Sequence, residues 1–166
     1  MSKGFKRHFI RSKDAKRLLK EACEKLKIPL ESLSLSDKVE CLEADFCELF
    51  LVDKRPILFR VNDKIFPTLF FIEAIKSLPK AVVDAGAVPH ICNGANVMAP
   101  GIIRFEGDFQ KGDIIAVVDE KYGKPIAIGE VNYGRQEVSE VKHGAVVKTI
   151  HFVGDKIWVL GKNLTG

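Results

Sequence analysis

Nowhere in the 166-residue chain do about eighteen apolar residues run together, so no membrane-spanning helix is expected. The N-terminus, MSKGFKRHFIRSK, lacks the apolar central segment of a secretory leader. A soluble cytoplasmic protein without membrane association is the expectation. Cysteine is scarce, with four residues at Cys23, Cys41, Cys47 and Cys92, none of them in a CxxC pair. The four histidines, His8, His90, His143 and His151, show no zinc-like spacing, so no metal site is expected. In a reducing compartment the thiols are expected to be free and partly buried, with Cys41 and Cys47 placed to face each other across a hairpin.

Catalytic signatures are also missing. The sequence holds no phosphate-binding GxxxxGK[ST] loop, no GxGxxG, no HExxH and no GxSxG. The adjacent carboxylates Asp119 and Glu120 fall between two expected strands, where they serve solubility. Neither an enzyme nor a cofactor is indicated.

What the chain does have is an uneven charge. The net charge is +4, but residues 1–30 carry ten Lys and Arg against three acids. Residues 31–53 reverse this, with one Lys against seven acids, and residues 80–161 are nearly neutral at nine against ten. The basic excess is therefore an N-terminal property, and any nucleic-acid contact in the second half must rest on a local patch or on backbone groups.

Periodicity orders the first half. The opening segment, with Phe5, Phe9 and Ile10 among basic residues, reads as a basic arm or a short edge strand. Ser12 is placed to cap a helix from Lys13 to about Lys27, closed by Ile28-Pro29. Its apolar residues Ala15, Leu18, Leu19, Ala22, Cys23 and Leu26 form one face, and Lys13, Lys16, Arg17 and Lys20 form the other. That second face is either merely solvated or turned towards phosphate. Residues 30–37 read as a loop. Alternation then predicts strands over Val39–Ala44, Phe46–Val52 and Pro56–Val61, with Ile65–Leu69 leading into a buried helix that runs to about Ser77.

The second half centres on Gly86–Gly101, GAVPHICNGANVMAPG. Its apolar start reads as a strand, Asn93-Gly94 as a turn suited to positive φ, and Ala95–Ala99 as a helical turn or two stopped by Pro100-Gly101. Backbone N–H groups opening such a helix favour an anion. Small residues at Gly94 and Ala95 permit close approach by a partner. A first strand over Lys80–Asp84 precedes this stretch, and Gly101–Asp108, holding Arg104, follows it as a connection. Further strands are expected at Ile114–Val118, Pro125–Val131, Ala145–Phe152 and Lys156–Leu160, with a helical turn near Arg135–Lys142. Short, evenly spaced strands argue for a closed or nearly closed barrel, with Trp158 filling it and His151 a structural histidine.

Asn93–Ile102, NGANVMAPGI, resembles the signature of the PUA domain, the RNA-binding module of pseudouridine synthases and archaeosine transglycosylases. The similarity extends to FQKGD at Phe109–Asp113, KPIAIG at Lys124–Gly129, KHGAV at Lys142–Val146 and HFVGDKIW at His151–Trp158. Phe66-Pro67-Thr68-Leu69, with the hairpin before it, resembles the pre-PUA domain of the archaeal-type MCT family of translation-associated factors. The resemblance implies an α+β protein, with a small pre-PUA domain over 1–78 and a mixed β pseudo-barrel over 79–166. It also implies that RNA lies against the short helix and its flanking strands. The positions it singles out are Asn93, Gly94, Ala95, Asn96 and Met98, with Lys80, His90 and Arg104 nearby in sequence for phosphate. Met98 reads equally as a core residue.

Three functions fit. The first is a translation-associated factor bound to ribosomal RNA or tRNA on the small ribosomal subunit, with a partner factor. The second is an RNA-binding accessory of a tRNA-modifying transglycosylase or pseudouridine synthase, for whose catalytic domain this chain has no room. The third is a protein-interaction module, which the near-neutral second half would suit.

Overall fold

The computed structural model describes residues 5–29 and 38–165, so the loop expected over 30–37 lies outside the described residues. The chain forms two units: residues up to Ser77 together with those from Val159, and Leu78–Trp158.

The first unit is built on five antiparallel strands, β1 (Lys6–Phe9), β2 (Val39–Glu43), β3 (Glu48–Val52), β4 (Arg55–Val61) and β5 (Lys64–Pro67), paired in chain order. Helix α1 (Ser12–Leu26) follows β1 and buries the six apolar residues that its 3.6-residue period selects. The helix begins at Ser12 itself. Arg11 holds the capping position in extended conformation and no side chain caps the end, so Ser12 is not the cap. At the other end Lys27 turns left-handed at φ 56°, and its N–H bonds the Cys23 carbonyl.

Two-residue turns set the hairpins. Asp53 and Lys54 (φ 50° and 66°) join β3 to β4, and Asn62 and Asp63 (φ 50° and 62°) join β4 to β5. The second turn corrects the reading of Ile65–Leu69 as a helical lead-in. It sends Phe66 and Pro67 back along β4 as an edge strand, where proline's missing N–H leaves no ladder bond unmade. Thr68 then ends the strand. It is fully buried, donates its hydroxyl to the Pro56 carbonyl at 2.8 Å and accepts the Phe70 N–H at 3.2 Å. Helix α2 is accordingly short (Ile72–Ser77) and buries Ala74 and Ile75 while Ile72 stays exposed. Cys41 lies opposite Phe50 rather than Cys47, and none of the four cysteines is joined in a disulfide.

In the second unit six strands run in the order β7 (Val97–Met98), β11 (Ala145–Phe152), β10 (Pro125–Val131), β9 (Ile114–Asp119), β6 (Lys80–Val83) and β8 (Ile102–Glu106). Only β6 and β9 pair in parallel. The edge strands β7 and β8 are linked by a single 3-10 turn, Ala99–Gly101, instead of a ladder. The result is an α+β chain whose second half is a pseudo-barrel filled by Ala81, Val83, Ile115, Val117, Val147 and their neighbours. Helices α3 (Val88–Ile91) and α4 (Arg135–Val138) each add one buried side chain, Ile91 and Val138. Gly129 sits at a register shift where β10 meets β11, and a Cβ there would lie 2.5 Å from the Lys148 carbonyl oxygen.

The strand expected over Lys156–Leu160 is helix α5 (Lys156–Thr165). Asp155 accounts for the difference. Its Oδ1 accepts the Trp158 N–H at 2.7 Å, while Oδ2 accepts the Phe152 N–H at 3.0 Å and stands 2.8 Å from Nδ1 of the fully buried His151. The carboxylate thus caps a helix and ties it to the end of β11. Trp158 lies in the first turns of α5, half-buried and outside the barrel core. The last residues of α5 group with the first unit, where Gly161 leaves no room for a Cβ against the Phe70 ring. Among the described residues no helix is long and apolar enough to cross a membrane.

Gly129→Ala drives a methyl into backbone that cannot yield. It is expected to cost about 1–3 kcal/mol in urea unfolding. Asp155→Ala removes a cap and a partner of a buried histidine, and is expected to cost about 2 kcal/mol by the same measurement. Asp155→Asn keeps an acceptor for the cap and costs less.

Candidate nucleic-acid interface

The stretch around Gly94 runs opposite to expectation. Within the run expected as a strand, Val88–Ile91 form the one-turn helix α3, flanked by Ala87 and Cys92 as its caps, with Pro89 in its first turn where no N–H is needed. It is entered through Asp84, whose Oδ1 accepts the Ala87 N–H at 2.9 Å. Residues Ala95–Ala99 form β7 and the start of the 3-10 turn, not a helix. Gly101–Asp108 contains β8 and is not an irregular connection.

Asn93-Gly94 is therefore the end of a helix and not the beginning of one. The N–H groups of Asn93 and Ala95 bond the His90 carbonyl, and that of Gly94 bonds the Ile91 carbonyl, at 3.0–3.1 Å. Gly94 has φ +95°, which closes the turn as a glycine at a helix C-terminus does. These N–H groups are taken, so they offer nothing to an anion. That corrects the physical reason first given for the stretch.

The loop presents shape. Asn93, Gly94, Ala95 and Asn96 are exposed, and a Cβ on Gly94 would meet only the Phe152 ring, at 3.5 Å. Thr149 on β11 fastens the loop. Its hydroxyl donates to the Ala95 carbonyl at 2.9 Å, and its N–H donates to Asn96 Oδ1 at 3.1 Å. Asn96 thus has a positioning role. In the two-residue strand that follows, Val97 turns into the core while Met98 is 49% exposed. His90 is exposed on α3, within one turn of the loop. The fold thus gathers His90, Asn93, Gly94, Ala95, Asn96 and Met98 into one small, weakly charged ridge.

Lys80 and Arg104 do not join it. Lys80 begins β6, at the end away from the turn that leads to α3, and bonds the Leu78 carbonyl at 3.0 Å. Arg104 lies on β8 and pairs with Glu106 at 3.3 Å. It lines a groove of about 310 Å³ together with Arg135, which also lies over the Phe105 ring. Arg135, Thr149 and Phe152 carry no signal in the sequence that marks them for this surface. Their places follow from strand register and from the fold of α4.

In the first unit, Lys13, Lys16, Arg17 and Lys20 are all exposed on α1. Arg17 also borders a groove of about 280 Å³ with His8, Glu21, Cys41, Glu48 and Arg60. Burial, followed by the charges of Glu48 and Glu43, pushes the Cys41 thiol up to about 12. It stays protonated and is no nucleophile at neutral pH. Burial likewise raises the Cys92 thiol. Among the described residues no group of His, Cys, Asp and Glu is arranged to hold a metal ion.

Known proteins resemble both units. The PUA domain family matches residues 79–153, and a domain of unknown function, DUF1947, matches residues 6–74. Translation machinery-associated protein 20 of Schizosaccharomyces pombe is 30% identical over 146 residues, covering 84% of this chain and 78% of that protein. The crystal structure of a hypothetical protein from Pyrococcus horikoshii OT3 is 35% identical, with a TM-score of 0.79 over 94% of this chain and 99% of that one. The probable tRNA pseudouridine synthase B of Pyrobaculum aerophilum is 44% identical over 77 residues, but these are 46% of this chain and only 23% of the enzyme. With the two units matched in the same order, the chain belongs to the MCT family of PUA-domain proteins, in which a DUF1947 (pre-PUA) unit precedes a C-terminal PUA domain.

Proposed function

We propose that this protein is a non-catalytic RNA-binding factor of the translation machinery, acting in the cytoplasm on the small ribosomal subunit, in initiation or recycling. The observation that carries the reading is likeness across both units to a protein named for association with that machinery. The tRNA-modifying enzyme shares the PUA half alone, which makes an accessory of such an enzyme the second reading.

In this reading the PUA unit meets RNA along the Gly94–Met98 ridge, with His90 beside it. Contact there is by shape and by apolar approach, since the ridge holds no Lys or Arg. The pre-PUA unit, residues 1–78, supplies long-range attraction through Lys13, Lys16, Arg17 and Lys20, whose charge draws phosphate without reading sequence. Lys80 and Arg104 act as peripheral phosphate contacts. A partner translation factor completes the assembly on the subunit.

The test is crosslinking of the tagged protein in cells, followed by sequencing of the attached RNA. Small-subunit ribosomal RNA is the expected product. Enrichment of tRNA would favour the modification accessory, and no enrichment would leave a protein-interaction module.

Ala95→Arg places a long side chain on the ridge at an ordinary backbone position. Gly94→Arg would add strain at φ +95° and blur the outcome. Ala95→Arg is expected to lower crosslinking by about tenfold, the scale of a lost contact of about 1.4 kcal/mol. Lys16→Glu with Arg17→Glu is expected to weaken binding on all sequences and to reduce the salt slope by about two. Unchanged binding in a folded Ala95→Arg protein would rule the ridge out.

A further inference from the structure

The opening segment Phe5–Arg11, FKRHFIR, has no acidic residue. Its strand β1 forms one edge of the first unit's sheet, and each of its four residues is exposed. Phe9 is 63% exposed and Phe5, just before the strand, 47%. Two exposed phenylalanines four residues apart on a paired strand stand about 13 Å apart. Each ring stands open to a flat partner.

The charge around them identifies it. Arg7 and Phe9 lie opposite Leu42 and Glu40 on β2, so these side chains share a face. Leu42 is buried, which leaves Glu40 as the carboxylate of that row. Arg7 holds it through two bonds, Nε to Oε2 at 2.6 Å and Nη2 to Oε1 at 3.3 Å. This bond, aided by the charges of Arg7 and of Lys54 on the adjoining turn, keeps the Glu40 carboxyl below its ordinary range. Arg11 follows the strand, extended and exposed. Two flat rings thus flank a guanidinium that is fixed in plane, and the nearest carboxylate is already matched. An acidic or purely apolar peptide would use one of these features and not the other. Extended single-stranded RNA uses both, since every base has a face to stack and every linkage a negative charge.

We propose that β1 of the pre-PUA unit is a binding surface for single-stranded RNA, with Phe5 and Phe9 as stacking platforms, Arg11 and Lys54 facing the phosphates, and Arg7 held by Glu40 between the rings. The surface is separate from the Gly94 ridge and shares with it only the class of ligand. His8, on the opposite face of β1, lines the groove beside Arg17 and takes no part.

The test uses the full chain and a fluorescent oligouridylate of about ten nucleotides, within the range of known single-strand sites, followed by anisotropy at several salt concentrations. Phe5→Ala with Phe9→Ala is expected to weaken binding by about tenfold or more, by the same factor at low and high salt, because stacking is not an ionic contact. Phe5→Trp with Phe9→Trp is expected to retain binding, and Phe5→Leu with Phe9→Leu to lose it like alanine. Arg11→Glu with Lys54→Glu is expected to flatten the salt dependence. Both rings are exposed, so thermal unfolding followed by circular dichroism is expected to be unchanged in each variant. Failure of the ridge is read from crosslinking of Ala95→Arg in cells and failure of β1 from the alanine pair on oligouridylate, so the two outcomes are distinguished. Unchanged binding in the alanine pair would overturn the proposal. So would full binding by the leucine pair, which would make apolar contact and not stacking the source of affinity.

Discussion

The hydrogen-bonded seam between β11 and the segment Ala95–Met98 is the constraint on which the PUA unit's exposed face depends. β7 is only two residues long and has no ladder on its other side. Two backbone pairings and the two bonds from Thr149 hold it in place. β11 also carries Phe152 under Gly94, and just beyond its end Asp155, bonded to His151, caps α5. One strand therefore fixes the height of the loop, the floor beneath it and the exit of the chain. With the Asn93, Gly94 and Ala95 N–H groups, the Ala95 carbonyl and Asn96 Oδ1 bonded internally, the loop is ordered before a ligand arrives, so binding would cost little ordering entropy.

That rigidity has a consequence for chemistry. A helix N-terminus attracts anions through unpaired N–H groups, but α3 turns its C-terminal end to this loop, where those groups are already bonded. The loop can recognise a partner by outline and apolar contact, and the attraction must come from elsewhere. In the proposed reading the basic excess of residues 1–30 would supply it. Charge and shape are thus divided between the two units of one chain, which gives a physical reason for the pre-PUA unit to accompany a PUA domain of nearly neutral charge.

What could be read from the sequence follows the length of its patterns. α1 has four turns of unbroken period and was legible within a residue or two at each end. β10 and β11 have seven and eight residues bounded by Gly, Pro and Asp, and their limits were legible directly. Most of the errors lie where elements have two to five residues, and the ten-residue α5 is the exception. A four-residue helix and a two-residue strand cannot display a period, so GAVPHIC and ANVMA exchanged their types. In β8 both Ile103 and Arg104 are exposed, so alternation fails. The run IWVL in α5 has the composition of a strand. Its helical state comes from Asp155, whose role depends on a buried histidine and on no pattern within the run.

The same contrast separates the two candidate surfaces. The Gly94 ridge was legible because glycine and small residues mark a backbone constraint, although the constraint proved to be a helix end. The residues that hold it, Thr149 and Phe152, are ordinary strand residues whose role exists only once β11 is in register with β7 and β10. The β1 platform is the opposite case. Alternation sets Phe5, Arg7 and Phe9 on one face and Lys6 and His8 on the other, and does not say which face is covered. Pairing with β2 leaves the rings exposed and sets Arg7 on Glu40, and that pairing is a contact of residues 33 apart in sequence. Composition identifies which side chains are available. Whether a ring is core or platform is settled by register, because a one-residue slip of β1 would exchange Phe9 and His8 between the faces of the sheet.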